Sequence, residues 1–302
     1  MQARSIFRDR YGISLAMWTG RMLPRPVTKW VGLWLADRIA SRRRFSMSRA
    51  VRANQWVVRG EHISGSELDG AVREVLRESA VGLLDLYHAL HRPEELMHLA
   101  PRTPEMDGLI ERSQIRRNPA IVVISHSSSF DLLLLAHSLR GLSGQVLTYA
   151  QPTDAYQIQN EIRSSGGPGL EVTPIGQHAL RLAIENLRAG GVVYTGVDRP
   201  EDSSKMQLSF FGRPAWLPVG HVRLAMKVGV PIIVASMLHL EDGTYKVLLS
   251  DPIPMEKGQA PGQAIQENAQ KVLEVLSNFI RQAPGQWMMF YPVWPEALEQ
   301  MP

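Results

Sequence analysis

The residues best suited to chemistry form one run, Ser125-His126-Ser127-Ser128-Ser129-Phe130-Asp131, directly after the apolar stretch Ala120-Ile121-Val122-Val123-Ile124. An imidazole is the side chain whose proton affinity lies nearest neutral pH, which makes His126 the leading candidate for a general base. A carboxylate on one ring nitrogen fixes the tautomer, stabilises the imidazolium and leaves the other nitrogen free to take a proton. Asp131 stands about one turn into the helix that follows, so its carboxylate can reach back to that imidazole. Two readings of Asp131 stand side by side: it orients His126, or it belongs to a capping box, Ser128-x-x-Asp131, and only satisfies backbone N–H groups. Ser127 and Ser129 are small and polar, leave room for a substrate beside the histidine and are candidate substrate contacts. A serine nucleophile is the weaker reading, because no G-x-S-x-G elbow surrounds Ser127–Ser129. Asp198, at the end of the run Val192–Val197, is a second carboxylate that could approach the same histidine; the alternative is a turn residue paired with Arg199.

Strands and helices must alternate to position these groups, and from residue 119 onward the pattern does so. Short β-branched runs predict strands at Ala120–Ile124, Val146–Tyr149, Val172–Ile175, Val192–Thr195, Pro231–Met237 and Tyr245–Leu249. Helical periods fall at Asp131–Arg140, Gln157–Ser165, Gln177–Arg188, Arg223–Val228 and Ala264–Arg281, and residues 64–91 read as one helix or two, starting at a Ser64 or Ser66 cap. This alternation predicts an α/β fold: a single domain with a mostly parallel central sheet flanked by helices. In such sheets ligands bind outside the carboxyl ends of the strands, where His126 lies. The Gly166–Gly169 cluster has neither P-loop nor dinucleotide-fold spacing and reads as a turn.

The 302 residues contain no Cys, which excludes thiol nucleophiles, disulfide frameworks and Cys-based zinc sites. His88, His91 and His98 lack a third ligand at fixed spacing, so no metal site is expected, and His221 and His239 read as structural. The formal net charge of +4 hides an asymmetry. Residues 1–60 carry 13 Lys or Arg against Asp9 and Asp37, a net +11, while 61–302 carry 20 basic and 27 acidic groups, a net −7. The basic segment interleaves its arginines with Trp18, Trp30, Trp34 and other apolar residues, in two predicted helices at 8–22 and 27–41. No apolar run there reaches the roughly 18 residues a spanning helix needs, and Pro24-Arg25-Pro26 argues against a signal peptide. Residues 1–60 therefore read as basic amphipathic helices for an anionic membrane surface, and 61–302 as the catalytic domain. The alternative is that these helices pack on the protein's own core. No RRM, KH, zinc-finger or helix-turn-helix pattern supports a nucleic-acid partner.

The strand followed by His126-x4-Asp131 resembles the H-x4-D signature of the glycerolipid and lysophospholipid acyltransferase superfamily. The wider chain, over roughly 50–295, is similar to its branch of lipid A late acyltransferases and phosphatidylinositol mannoside acyltransferases. The matching blocks run in order: Arg163 before a glycine turn and Thr173-Pro174-Ile175, Gly191–Arg199, Phe210-Phe211-Gly212-Arg213-Pro214-Ala215, Gly220–Ala225, Gly229–Ile233 and Gln286-Trp287-Met288-Met289-Phe290. Two departures are losses of cations, in Tyr149-Ala150-Gln151-Pro152 and in Tyr291-Pro292-Val293-Trp294.

The resemblance implies a glycerolipid-acyltransferase-like fold. It also implies transfer of a fatty acyl group from a thioester, acyl-CoA or acyl carrier protein, to a hydroxyl of a lipid or glycolipid, with no cofactor. His126 would be the base and Asp131 its orienting carboxylate, with Asp198 as the second acid. Arg163, Arg199, Arg213 and Phe211 join Ser127 and Ser129 as candidate substrate contacts, the arginines for phosphate. Leu132–Leu135 with Phe210, Phe211 and Trp216 are candidates for an acyl tunnel. The expected location is the cytoplasmic face of the cell membrane, as a peripheral protein. Two other classes stay open: a catalytically silent lipid-binding or membrane scaffold protein, and a hydrolase using the same His-Asp pair on water.

Overall fold

Five runs rich in β-branched and aliphatic residues pair side by side; the central ones are buried on both faces, as a sheet covered by helices on both sides requires, while the edge run is only partly buried. In the computed structural model, which describes residues 17–20, 22–200, 205–258 and 260–302, they are β1 (Ala120–Ile124), β2 (Gly144–Thr148), β3 (Leu170–Pro174), β4 (Val192–Gly196) and β7 (Ile232–His239). With β8 (Tyr245–Leu249) they form one sheet in the order β3-β2-β4-β1-β7-β8, and only β8 is antiparallel to its neighbour. The chain is thus a single α/β domain with a mostly parallel central sheet.

The helices, in chain order, are α1 (Arg25–Ala40), α2 (Ser46–Val58), α3 (Gly65–Ala89), α4 (Pro93–Leu99), α5 (Pro104–Ile115), α6 (Phe130–Leu139), α7 (Asp154–Ser164), α8 (Gln177–Arg188), α9 (Gly220–Val228), α10 (Pro261–Gln282) and the short α11 (Ala297–Gln300). Alternate residues of β1 face opposite layers. Ile121 and Val123 join a cluster built with α8, α9 and α10, whereas Ala120 and Val122 join one built with α4, α5 and α6. The Ser64 cap of α3 forms a full capping box with Glu67, which explains why this helix is legible from its start.

Several elements depart from expectation. The strands β5 (Lys205–Phe210) and β6 (Arg213–Pro218) form a separate hairpin around Phe211-Gly212, both at positive φ as a two-residue primed turn demands. Helix α2 escapes sequence reading because polar residues occupy its buried face. Asn54 donates to the Met289 and Tyr291 carbonyls at 2.9 and 2.8 Å, Gln55 donates to the Pro284 carbonyl at 2.7 Å, and Arg52 is held by Asp69 and the Pro302 carbonyl. Ala53, Trp56 and Val57 of the same helix lie in the cluster of Ile121 and Val123, so residues 46–58 are part of the body rather than of a separate basic segment. The helix expected at 27–41 is α1, while most of the one expected at 8–22 lies outside the described residues. No described helix is long and apolar enough to cross a membrane.

Candidate active site

Strands β1 and β4 run parallel as neighbours with Ile124 opposite Gly196. Two residues past that pair, the two chains reach His126 and Asp198 at the same level. His126 Nδ1 lies 2.6 Å from Asp198 Oδ1, and the His126 backbone N–H donates to Asp198 Oδ2 at 2.9 Å. Asp198 is fully buried. Burial pushes its carboxyl up, but the charge of His126 and the hydrogen bonds from His126 and the Trp287 indole outweigh that and hold it below the ordinary carboxylate range. In the neutral imidazole, a carboxylate accepting at Nδ1 puts the proton on that nitrogen and leaves the lone pair on Nε2. No described residue hydrogen-bonds to Nε2, and the imidazole is 25% exposed to the cleft. Gly196 makes room for the ring: a Cβ there would meet His126 Cε1 at 3.0 Å.

Asp131 is not the carboxylate that orients His126, which corrects the expectation drawn from H-x4-D. It lies in the first turn of α6 and meets Arg163 of α7 instead, with Nε to Oδ1 at 2.6 Å and Nη2 to Oδ2 at 3.4 Å. The capping box fails as well, since the N-cap is Ser129 and no side chain caps the helix. Arg163 is itself buried and stacks under Phe130 and Tyr156. Burial opposes its charge, but Asp131 and Tyr156 outweigh that and keep the guanidinium protonated.

A cleft opens beside the imidazole. Ile124, Phe130, Leu134, Val146 and Leu147 form its apolar wall, and Thr148, Tyr156 and Arg163 stand among its polar groups. Of the residues expected to line an acyl tunnel, only Leu134 meets it. Leu132 and Leu133 are packed in the core, Phe210 stacks on Trp294, and Trp216 is exposed on β6.

The remaining expected contacts divide. Ser127 and Ser129 are buried; Ser127 Oγ lies 3.0 Å from Ser125 Oγ, which lies 2.8 Å from Ser236 Oγ, and Ser129 Oγ donates to the Gly82 carbonyl. Both serines therefore brace the loop. Phe211 packs at the hairpin turn against Trp287 and Trp294, and Arg213 is paired with Glu61 over the Trp56 ring, so neither faces the cleft. Arg199 follows Asp198 and lies between two tyrosines, its guanidinium carbon 5.0 Å from the Tyr149 ring centre and 4.0 Å from that of Tyr291. Among the described residues no carboxylate pairs with it.

The C-terminal run Gln286–Met288 closes the back of the site, a part that residue type alone did not disclose. Ser128, at φ 50°, donates its N–H to the Gln286 carbonyl at 2.8 Å, and Met288 donates to the His126 carbonyl at 2.7 Å. Gln286 clamps the backbone of His239 through both ends of its amide, at 2.8 Å each. His239 in turn bonds Glu78, and His221 is buried, which pushes its imidazole down to about 3. No three His, Asp or Glu side chains gather as a metal-binding group among the described residues. The family model of the bacterial lipid A biosynthesis acyltransferases matches residues 7–296. No curated protein matches the chain.

Proposed function

Because the chain belongs to the bacterial lipid A biosynthesis acyltransferase family, and is therefore an acyltransferase of lipid biosynthesis, we propose the following reaction. A fatty acyl group moves from a thioester, acyl-CoA or acyl carrier protein, to a hydroxyl of a lipid or glycolipid acceptor, without a resident cofactor. The observation that carries this reading is the His126–Asp198 pair, whose free Nε2 faces a cleft with an apolar wall. Nε2 takes the proton of the acceptor hydroxyl as its oxygen attacks the thioester carbonyl. Asp198 stabilises the imidazolium, the tetrahedral oxyanion collapses, the C–S bond breaks, and the departing thiolate takes the proton back from His126. The N–H groups opening α6, which no side chain caps, are candidate donors for the oxyanion. Direct transfer of this kind needs no acyl-enzyme, in keeping with a chain that has no Cys.

Arg199 is the cation available for a phosphate of the donor. Arg163 and Arg213 are each committed to a carboxylate, whereas Arg199 lies against two tyrosine rings and, among the described residues, no carboxylate pairs with it. Its two tyrosines belong to the two segments in which family cations are missing.

The reading includes a peripheral position on the cytoplasmic face of the membrane. A helix packed on a protein body normally turns its apolar stripe inward. Helix α1 instead turns Val27, Trp30, Val31, Trp34 and Leu35 outward, with Lys29 and Arg38 exposed beside them. The charge offered to lipid is smaller than the +11 of residues 1–60, because Arg25, Arg43, Arg52 and Arg59 are engaged by Asp85, Asp69 and Glu74.

A labelled acyl thioester mixed with lipid acceptors tests the chemistry. His126→Ala is expected to stay folded and lose acyl transfer; retained transfer, or His126-dependent release of free fatty acid without an acylated lipid, overturns it. Co-sedimentation with anionic vesicles tests the docking, where Trp30→Ser with Trp34→Ser is expected to release the protein.

A further inference from the structure

The carboxylate that holds His126 is itself held from behind. Asp198 is fully buried, and its two oxygens accept three bonds. Oδ1 takes the His126 imidazole at 2.6 Å, and Oδ2 takes the His126 backbone N–H at 2.9 Å and the Trp287 indole N–H at 2.7 Å. The indole donor is the one that does not come from the histidine it orients. A carboxylate anchored only by His126 could rotate with it; a third bond from another segment fixes its plane. Trp287 is rigid enough for this task. It is 1% exposed, with ring centres of Phe210, Phe211 and Trp294 at 6.0 to 6.3 Å, and an isolated bridge pairs its backbone with Ser127. The same segment supports the loop of the base through the Ser128-to-Gln286 and Met288-to-His126 bonds.

We propose that Trp287 is a positioning residue of the reaction: its indole N–H fixes the Asp198 carboxylate and sets the proton affinity of the His126–Asp198 pair. The proposal rests on the reading of His126 as the base. N–H donation to Oδ2 draws negative charge away from the carboxylate. Removing it leaves a pair that binds its proton more tightly, so the acid limb of the activity profile moves to higher pH.

Other groups around the pair do not change. Arg163 with its partner Asp131, and Tyr156, stand on the cleft side, Arg199 lies against Tyr149 and Tyr291, and His239 with Glu78 lie behind Gln286. None of them bonds to the indole.

The test is Trp287→Phe, which keeps an aromatic ring and loses the donor. The expected result is a fall in kcat of about tenfold, as for the loss of one hydrogen bond to a charged group, with KM nearly unchanged and the acid limb of kcat/KM shifted upward. A variant with an unmoved acid limb overturns the proposal, even if its activity is lower, because a packing role alone would lower activity without shifting the limb. A second measurement needs no variant. In the full-length protein labelled with 15N-tryptophan, which has seven such residues, one buried indole N–H resonance is expected to titrate with the midpoint of the acid limb. If none does, the proposal fails. Failure here with His126→Ala inactive removes only the role of Trp287; an active His126→Ala removes the underlying reading as well.

Discussion

Asp131 and Asp198 are both buried beside the same cleft, yet one meets a guanidinium and the other an imidazole. The Arg163–Asp131 pair is a buried salt bridge that ties α6 to α7. The His126–Asp198 pair joins a buried carboxylate to an imidazole whose Nε2 is left without a described partner. Proximity in sequence favours Asp131, only five residues from the histidine; sheet register favours Asp198, 72 residues away. Register wins because residues equally far past a matched pair on parallel strands emerge side by side, whereas Asp131 has already been carried into a helix whose first turn faces α7.

The two pairs therefore break differently. Asp198→Asn is expected to lower kcat by about 10,000-fold, the scale for removing the carboxylate behind a catalytic histidine, while its fold survives. Asp131→Asn leaves Arg163 buried without its countercharge and is expected to cost about 3–5 kcal/mol of stability, read by denaturant unfolding, with far less loss in the activity of the folded fraction. If the two variants exchanged these phenotypes, the assignment of base partner and structural pair would be reversed.

A smaller difference lies in acid. The Asp198 carboxyl is held low in the fold. It therefore contributes stability above the ordinary carboxylate pKa, about 3.9, and that contribution is lost as pH falls through its folded value. Stability measured from pH 5 downward is expected to fall less steeply in Asp198→Asn than in the parent. An equal slope would mean that His126 does not hold the carboxylate ionised.

What the sequence discloses follows from how local each signal is. The strands of the sheet and the capped start of α3 announce themselves in consecutive residues, and so does the histidine at a strand end. Helix α2 stays hidden because Arg52, Asn54 and Gln55 look like surface residues until the chain end arrives to accept their hydrogen bonds. The hairpin had a signal that could have found it, Phe211-Gly212 between alternating residues. Ser128-x-x-Asp131 was misleading because helix α6 starts one residue later than a capping box requires. Trp287 lies 89 residues from Asp198, and no spacing rule connects them.

The finest distinction between the two pairs is at Gly196. A Cβ there would approach His126 Cε1 at 3.0 Å, so the imidazole must shift by a few tenths of an ångström, while Arg163 and Asp131 are not touched. The Gly196 backbone lies outside the positive-φ region, so alanine fits the chain without strain. Gly196→Ala is therefore expected to keep its stability and lose about tenfold in kcat through misplacement of the base alone. Gly220→Ala, whose Cβ would meet nothing within 4 Å, serves as the control and is expected to retain full activity. If Gly196→Ala also retains it, the imidazole has freedom that a pair fixed by Asp198 should not allow, and the rigid arrangement contrasted with Arg163–Asp131 would have to be given up.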